Sequence, residues 1–254
     1  MTIDLSIWQI LLLLGAGLVS GAINAAAGGG SLISFPALLV VGYPPITANV
    51  TNNVATVPGY VGGAFGYRHG LTGQRKRIVL LVIASIFGSA IGVGLILISS
   101  QSAFMGVAPF LVLASCALIV VQPKVSSWMG QGDGEGERPG VGAFVSQVLA
   151  AAYGGYFSAA LGVAVLALLG LTIEDTLQRL NALKAFLQLV IGVVSAVGFA
   201  LLTPVAWFAV AVVGLTSLIG GELGARFAQR VSDRALRAGI VVYGVAAAIW
   251  LFFQ

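Results

Sequence analysis

The stretch Gly21-Ala-Ile-Asn-Ala-Ala-Ala-Gly-Gly-Gly-Ser-Leu-Ile-Ser-Phe-Pro-Ala-Leu-Leu39 decides how this chain is built. It starts inside an apolar run long enough to cross a bilayer, about 20 residues at helical rise, and then meets three consecutive glycines, Gly28 to Gly30. Three glycines interrupt a helix, and backbone freed at membrane depth is tolerated only where it is buried in protein or lines a cavity. The apolar piece that follows, Ser31 to Val41, is too short to span alone. The sequence around the glycines therefore predicts a discontinuous membrane element.

The rest of the chain agrees with that environment. Of 254 residues, 59% are hydrophobic and only 8% charged, with a mean hydropathy of +1.05. A water-facing domain devotes about a quarter of its residues to charge, so the lipid bilayer is the first expected partner. A net charge of +4 from twelve basic residues is too sparse to track a phosphate backbone, which excludes nucleic acid. Long apolar runs lie near 5–27, 48–67, 78–99, 103–122, 141–161, 180–202, 205–224 and 238–253. Their Gly and Ala content favours packed helices over a barrel. Ala25-Ala26-Ala27 resembles a signal cleavage site, but no Lys or Arg precedes it and a copy of the segment recurs later, so the run is read as a span. The fold class is all-α, a polytopic helical membrane protein.

The polar stretch 123–139 reads as a linker between two transmembrane repeats, 1–122 and 140–254. At an offset of 132, Asn49, Gly66, Ser85, Gly88 and Gly92 fall on Asn181, Gly198, Ser217, Gly220 and Gly224. Upstream the offset becomes 134, and Gly21, Ala25, Ala26 and Gly28 fall on Gly155, Ala159, Ala160 and Gly162. The basic clusters occupy non-equivalent loops: Arg68 and Arg75 to Arg77 in one half, Arg226, Arg230, Arg234 and Arg237 in the other. Positive-inside topology for both requires an odd number of crossings per half. The missing crossing is Ser31–Val41 and its counterpart near 163–171, and the halves are expected to be inverted, each with one short or discontinuous helix.

A broken helix offers unpaired N–H groups and a positive dipole end to an anion. Gly28, Gly29, Gly30 and Ser31, with Asn24 nearby, form one candidate cradle. Asn49, Asn52 and Asn53 form a second constellation with their repeat partners Asn181 and Lys184, where Lys184 stands in place of Asn52, and Gln188 extends that face. Amides and one ammonium at related positions suit a small oxyanion; the alternative is that Asn181 and Lys184, following Glu174, Asp175 and Arg179, end an exposed loop and snorkel. Glu222 is either the partner of Arg226 four residues on or a proton-coupling carboxylate. Gly17/Gly21, Gly62/Gly66, Gly88/Gly92 and Gly220/Gly224 read as helix contacts, with a homodimer interface as the alternative.

Enzymatic chemistry finds no foothold. The one histidine, His69, lies in a basic loop, so no intramembrane serine protease can be drawn. No phosphate loop, dinucleotide fingerprint or metal-ligand cluster is present, and neither a cofactor nor a metal is expected.

The segment 21–39 with Thr47-Ala-Asn-Val-Thr-Asn-Asn53, and in the second half Tyr153-Gly-Gly-Tyr-Phe-Ser-Ala-Ala-Leu-Gly162 with Arg179-Leu-Asn-Ala-Leu-Lys184, resembles the two repeats of the sulfite exporter TauE/SafE family of bacterial membrane permeases. The resemblance covers nearly the whole chain. It implies a permease for sulfur-containing anions such as sulfite, sulfoacetate or other organosulfonates, commonly exporting them across the bacterial inner membrane. Ser158 and Ala159 stand where many relatives carry glycine, so a weaker break is expected in the second half. A passive anion channel and a non-transporting scaffold are the competing readings.

Overall fold

The computed structural model describes residues 5–27, 29–128, 140–228 and 233–253. Among these, every regular element is helical. The first half runs α1 (Ile7–Ala27), α2 (Ser31–Val40), α3 (Pro45–Gly66), a 3-10 turn (Arg68–Leu71), α4 (Arg75–Ile98) and α5 (Gln101–Trp128). The second runs α6 (Val141–Tyr156), α7 (Leu161–Thr172), α8 (Leu177–Leu202), α9 (Trp207–Ala228) and α10 (Asp233–Phe252). Each of the eight long apolar runs carries a helix, the one expected over 141–161 ending at Tyr156, and the two short pieces are α2 and α7. Helix α5 continues through Pro123 to Trp128; the remainder of the expected linker, 129–139, lies outside the described residues, as does Gly28.

Among the described residues, four helices are long and apolar enough to cross a membrane by length and composition: α1, α4, α5 and α8. Helix α3 has the length, 22 residues, but carries Thr47, Asn49, Thr51, Asn52, Asn53 and Thr56, all buried. Lipid would penalise those groups, and protein packing shields them. The molecule is a polytopic membrane protein whose most polar helix is kept inside.

Contacts fix the direction of each helix. Helix α2 folds back along α1, with Gln9 Nε2 donating to the Val41 carbonyl at 2.9 Å and the Ser20 and Ser34 hydroxyls 3.2 Å apart. Helix α9 runs parallel to α1, because Gly17 sits on Val213 and Thr216 while Gly21 sits on Ser217. Helix α6 runs parallel to α4, because Gly88 sits on Val148 and Ala151 while Gly92 sits on Ala152 and Tyr156. Helix α8 opposes α3, with Gly192 on Tyr60 and Gly70 on Ala182. Consequently α3, α5 and α9 end on one face, α1 runs toward it and stops short, and α4, α6, α8 and α10 begin there. That face carries Arg68, Arg75, Lys76, Arg77, Lys124 and Arg179, and α9 ends and α10 begins there; we call it the basic face.

Both breaks are internal. Tyr156 ends α6 level with Gly92, six residues before the end of α4, which is about 9 Å short of the opposite face. The second break is a sharp turn made without glycine at its left-handed positions, where a weaker break was expected: Ser158 and Ala160 adopt left-handed φ of 62° and 53°. That conformation costs an L-residue roughly 1–2 kcal/mol, and it is held by packing. The turn after α2 reaches the helix starts, because the Ile46 amide donates to Gln101 Oε1 at 2.9 Å and Gly42 is exposed. Asn49 to Asn53 are buried by the surrounding helices.

The small-residue pairs divide by environment. A Cβ at Gly21 would overlap the Ser217 carbonyl, and one at Gly88 or Gly92 would overlap α6 backbone, whereas nothing lies near Gly62 or Gly66. Gly21→Ala should destabilise the protein by about 1–3 kcal/mol through overpacking, and Gly62→Ala should leave thermal unfolding in detergent unchanged.

Candidate functional site: a cavity open on the basic face

A cavity of about 550 Å³ lies between the halves. Helix α1 contributes Gly21 and Asn24; α3 contributes Gly59, Tyr60, Gly62, Gly63 and Gly66, with Tyr67 just beyond; and α5 contributes Gln122. From the second half come Gly162 and Val163 of α7, Asn181, Lys184, Ala185 and Gln188 of α8, and Ser217, Leu218, Gly221 and Glu222 of α9. Its rim is at the basic face, where Tyr67 and Glu222 are exposed. Its inner residue Gln188 is eleven positions past Leu177, about 16 Å along α8. That depth is roughly half of a 30 Å hydrocarbon layer.

The inner end is built for negative charge. Gly162 is the second residue of α7, at the end of that helix where backbone N–H groups lack intrahelical acceptors and the dipole is positive. The Gln188 amide lies directly against it, where a Cβ on Gly162 would come 2.9 Å from both Nε2 and Oε1. One turn back, Lys184 Nζ donates to Asn181 Oδ1 at 3.0 Å, and Asn181 Nδ2 donates to the Leu177 carbonyl at 3.0 Å. The Lys184–Asn181 pair thus sets the ammonium toward the cavity without neutralising it. Among the described lining residues Lys184 is the sole cation and Glu222 the sole carboxylate.

The sequence candidates separate into two groups. Asn24, Asn181, Lys184, Gln188 and Glu222 line the cavity; Gly29, Gly30, Ser31, Asn49, Asn52 and Asn53 do not. Gly29 packs on Ile119 of α5, and Gly30 packs on Ser20 and Asn24 of α1. Asn52 Oδ1 accepts from the Ser34 hydroxyl at 2.5 Å, tying α3 to α2. Asn49 Nδ2 donates to the Tyr156 carbonyl at 2.7 Å, and Asn53 Nδ2 donates to the Gly154 carbonyl at 3.4 Å. These two amides brace the second-half break from across the molecule.

Residues not anticipated include Tyr60, Gln122, Ser217 and the glycines of α3. A glycine stripe looks the same in sequence whether it faces a helix or a void, and the void is what Gly62, Gly63 and Gly66 meet. Asp175, which sequence alone leaves in an exposed loop, is 1% exposed. Its carboxylate is held by Arg77 Nη1 at 2.5 Å and Arg179 Nε at 3.0 Å, and Arg179 Nη1 reaches the Thr72 carbonyl at 3.2 Å. This network joins the start of α8, and with it Asn181 and Lys184, to the start of α4. Asp175→Ala should destabilise the protein by about 3–5 kcal/mol, since removing one member of a buried pair strands the other charge; thermal unfolding of the purified variant measures it.

Comparison with known proteins fits this architecture. The chain is 26% identical over 255 residues to the probable membrane transporter protein ORF9 of Sinorhizobium sp, covering 98% of this chain and 94% of that one. It is 24% identical over 250 residues to the probable membrane transporter protein YfcA of Escherichia coli K12, covering 93% and 87%. A probable membrane transporter protein of Haemophilus influenzae is 33% identical over 122 residues, 48% of each chain. No solved structure matches. The profile of the sulfite exporter TauE/SafE family matches residues 13–251, and the chain belongs to that family.

Proposed function

We propose that this protein is a secondary transporter for a small sulfur-containing anion, such as sulfite or an organosulfonate, and that the cavity is its loading chamber. The carrying observation is the convergence of Lys184, the α7 N-terminus and the Gln188 amide at the inner end of a cavity whose rim is on the basic face. Charge-assisted donors and a helix N-terminus together favour a compact oxyanion. The family description supplies the sulfur chemistry.

Several features support alternating access. Equivalent elements of the halves, α1 and α6, α3 and α8, α4 and α9, run in opposite directions, as expected of inverted repeats rocking about a central site. The opposite side is closed by Phe35, Phe104 and Phe157, whose ring centroids lie 5.3 to 6.3 Å apart and which are at most 1% exposed. The positive-inside rule assigns the basic face to the cytoplasm, so the chamber would load from within, consistent with export across the inner membrane. Glu222, at the rim, is the candidate for proton coupling.

Two measurements test this reading. Sulfite or sulfoacetate should raise the unfolding temperature of the purified protein in a saturable way, and Lys184→Ala should weaken that binding by about tenfold to a hundredfold, the worth of one charged hydrogen bond. In proteoliposomes, labelled sulfoacetate should exchange against unlabelled with saturation and stop in Lys184→Ala; non-saturating conduction would indicate a channel, and no flux a scaffold.

A further inference from the structure

Beyond the inner end of the cavity, the polar atoms change character. Asn49 Oδ1, Ser89 Oγ, Ser158 Oγ and Ser195 Oγ are buried and have no hydrogen-bond partner. All four residues are at most 1% exposed. Serines inside helices ordinarily donate to the carbonyl four residues back, as Ser85, Ser99 and Ser115 do here. Ser89 and Ser195 do not, which leaves their oxygens available. Buried polar atoms without partners are rare in folded proteins and call for an explanation.

Three of these residues adjoin one feature, the C-terminal end of α6, and Ser195 lies level with Ser89 on the neighbouring helix. The Asn49 side chain is bonded to the Tyr156 carbonyl. Ser89 backs onto Gly155 so closely that no Cβ fits there. Ser158 is two residues past Tyr156, in the left-handed turn. Ser195 lies one turn before Gly198 on α8, and Gly198 packs on Val93, one turn past Ser89 on α4. A helix C-terminus carries about half a negative charge on carbonyls without intrahelical donors. An oxygen-rich, cation-free surround at that end is the mirror of the lysine-bearing α7 N-terminus a few residues on.

We propose that Asn49, Ser89, Ser158 and Ser195, with the lone pairs of the α6 C-terminal carbonyls that Asn49 and Asn53 leave open, form a binding site for a monovalent cation, sodium being the probe of choice. Neutral oxygens suit a hard cation. The absence of any grouped carboxylates among the described residues makes the site too weakly charged for a divalent ion. None of the four side chains titrates near neutral pH, so a proton is not its occupant. Unwound ends of broken membrane helices offer carbonyls to coupling ions in this manner. The cation would lie beside the break whose other end, α7, faces the anion cavity, so that filling one site orders the turn that shapes the other. The coupling role rests on the transporter reading above, whereas cation binding does not.

The test uses purified full-length protein in nanodiscs at constant ionic strength, exchanging choline chloride for sodium chloride. Sodium should raise the unfolding temperature saturably, and Ser89→Ala and Ser195→Ala should each weaken sodium by about tenfold or more while remaining folded, because hydroxyl deletion leaves the packing intact. Lys184→Ala, which affects only the anion chamber, should keep the sodium response. No difference between sodium and choline, or an undiminished response in both serine variants, would overturn the site and assign the oxygens to water alone. The sulfoacetate shift, measured separately without sodium, reports on the anion cavity, so the two readings fail independently.

Discussion

A helix that stops inside the hydrocarbon exposes amides and carbonyls that lipid cannot satisfy, and this chain stops twice. The fold answers each interruption with the other half of the molecule or with distant helices. Gly29 is covered by Ile119 and Ile240 of α5 and α10. The carbonyls of Gly154 and Tyr156 are taken by Asn53 and Asn49 of α3, and that of Ala159 by Tyr153 and Ser115. Asn49 and Asn53 of the first half thus satisfy carbonyls at the second-half break, which ties the two halves together there. The close glycine seams between α1 and α9 and between α4 and α6 enforce the same interdependence, because each joins one half to the other.

Within this shared framework the two halves differ in charge. Register places Asn52 opposite Lys184. Asn52 is neutral, 1% exposed and bonded to Ser34; Lys184 carries its ammonium beside an open chamber. The Arg77–Asp175–Arg179 network exists on the basic face, and the opposite side is sealed by aromatic rings in its place. The molecule is thus chemically one-sided, with charge where the chamber opens and apolar packing opposite.

Much of this was legible in the sequence. The helices follow from apolar runs of membrane length, and the two short helices follow from the parity that the basic loops impose. The family resemblance, drawn from 21–39 and 153–184, agrees with the profile match. The break at Ser158 was legible as a position and not as a shape, since its left-handed residues are not glycine and tertiary packing alone holds them. Helix α6 was expected to reach 161 and ends at Tyr156 for that reason. The repeat offset singles out Asn181 and Lys184, and Gln188 follows one turn beyond Lys184; all three line the cavity. The burial of Asp175 and the void beside Gly62 to Gly66 were not legible, since both depend on which helices become neighbours, information that local composition does not hold.

The central claim is that an anion enters from the basic face and stops at the α7 N-terminus beside Lys184. The most direct test is a cryo-electron microscopy map of the protein in nanodiscs with sulfoacetate. The account predicts ligand density within hydrogen-bonding distance of Lys184 Nζ and the backbone amide of Gly162, with Gln188 alongside. Density seated instead at Gly29 to Ser31, or a chamber containing only solvent at saturating sulfoacetate, would contradict it.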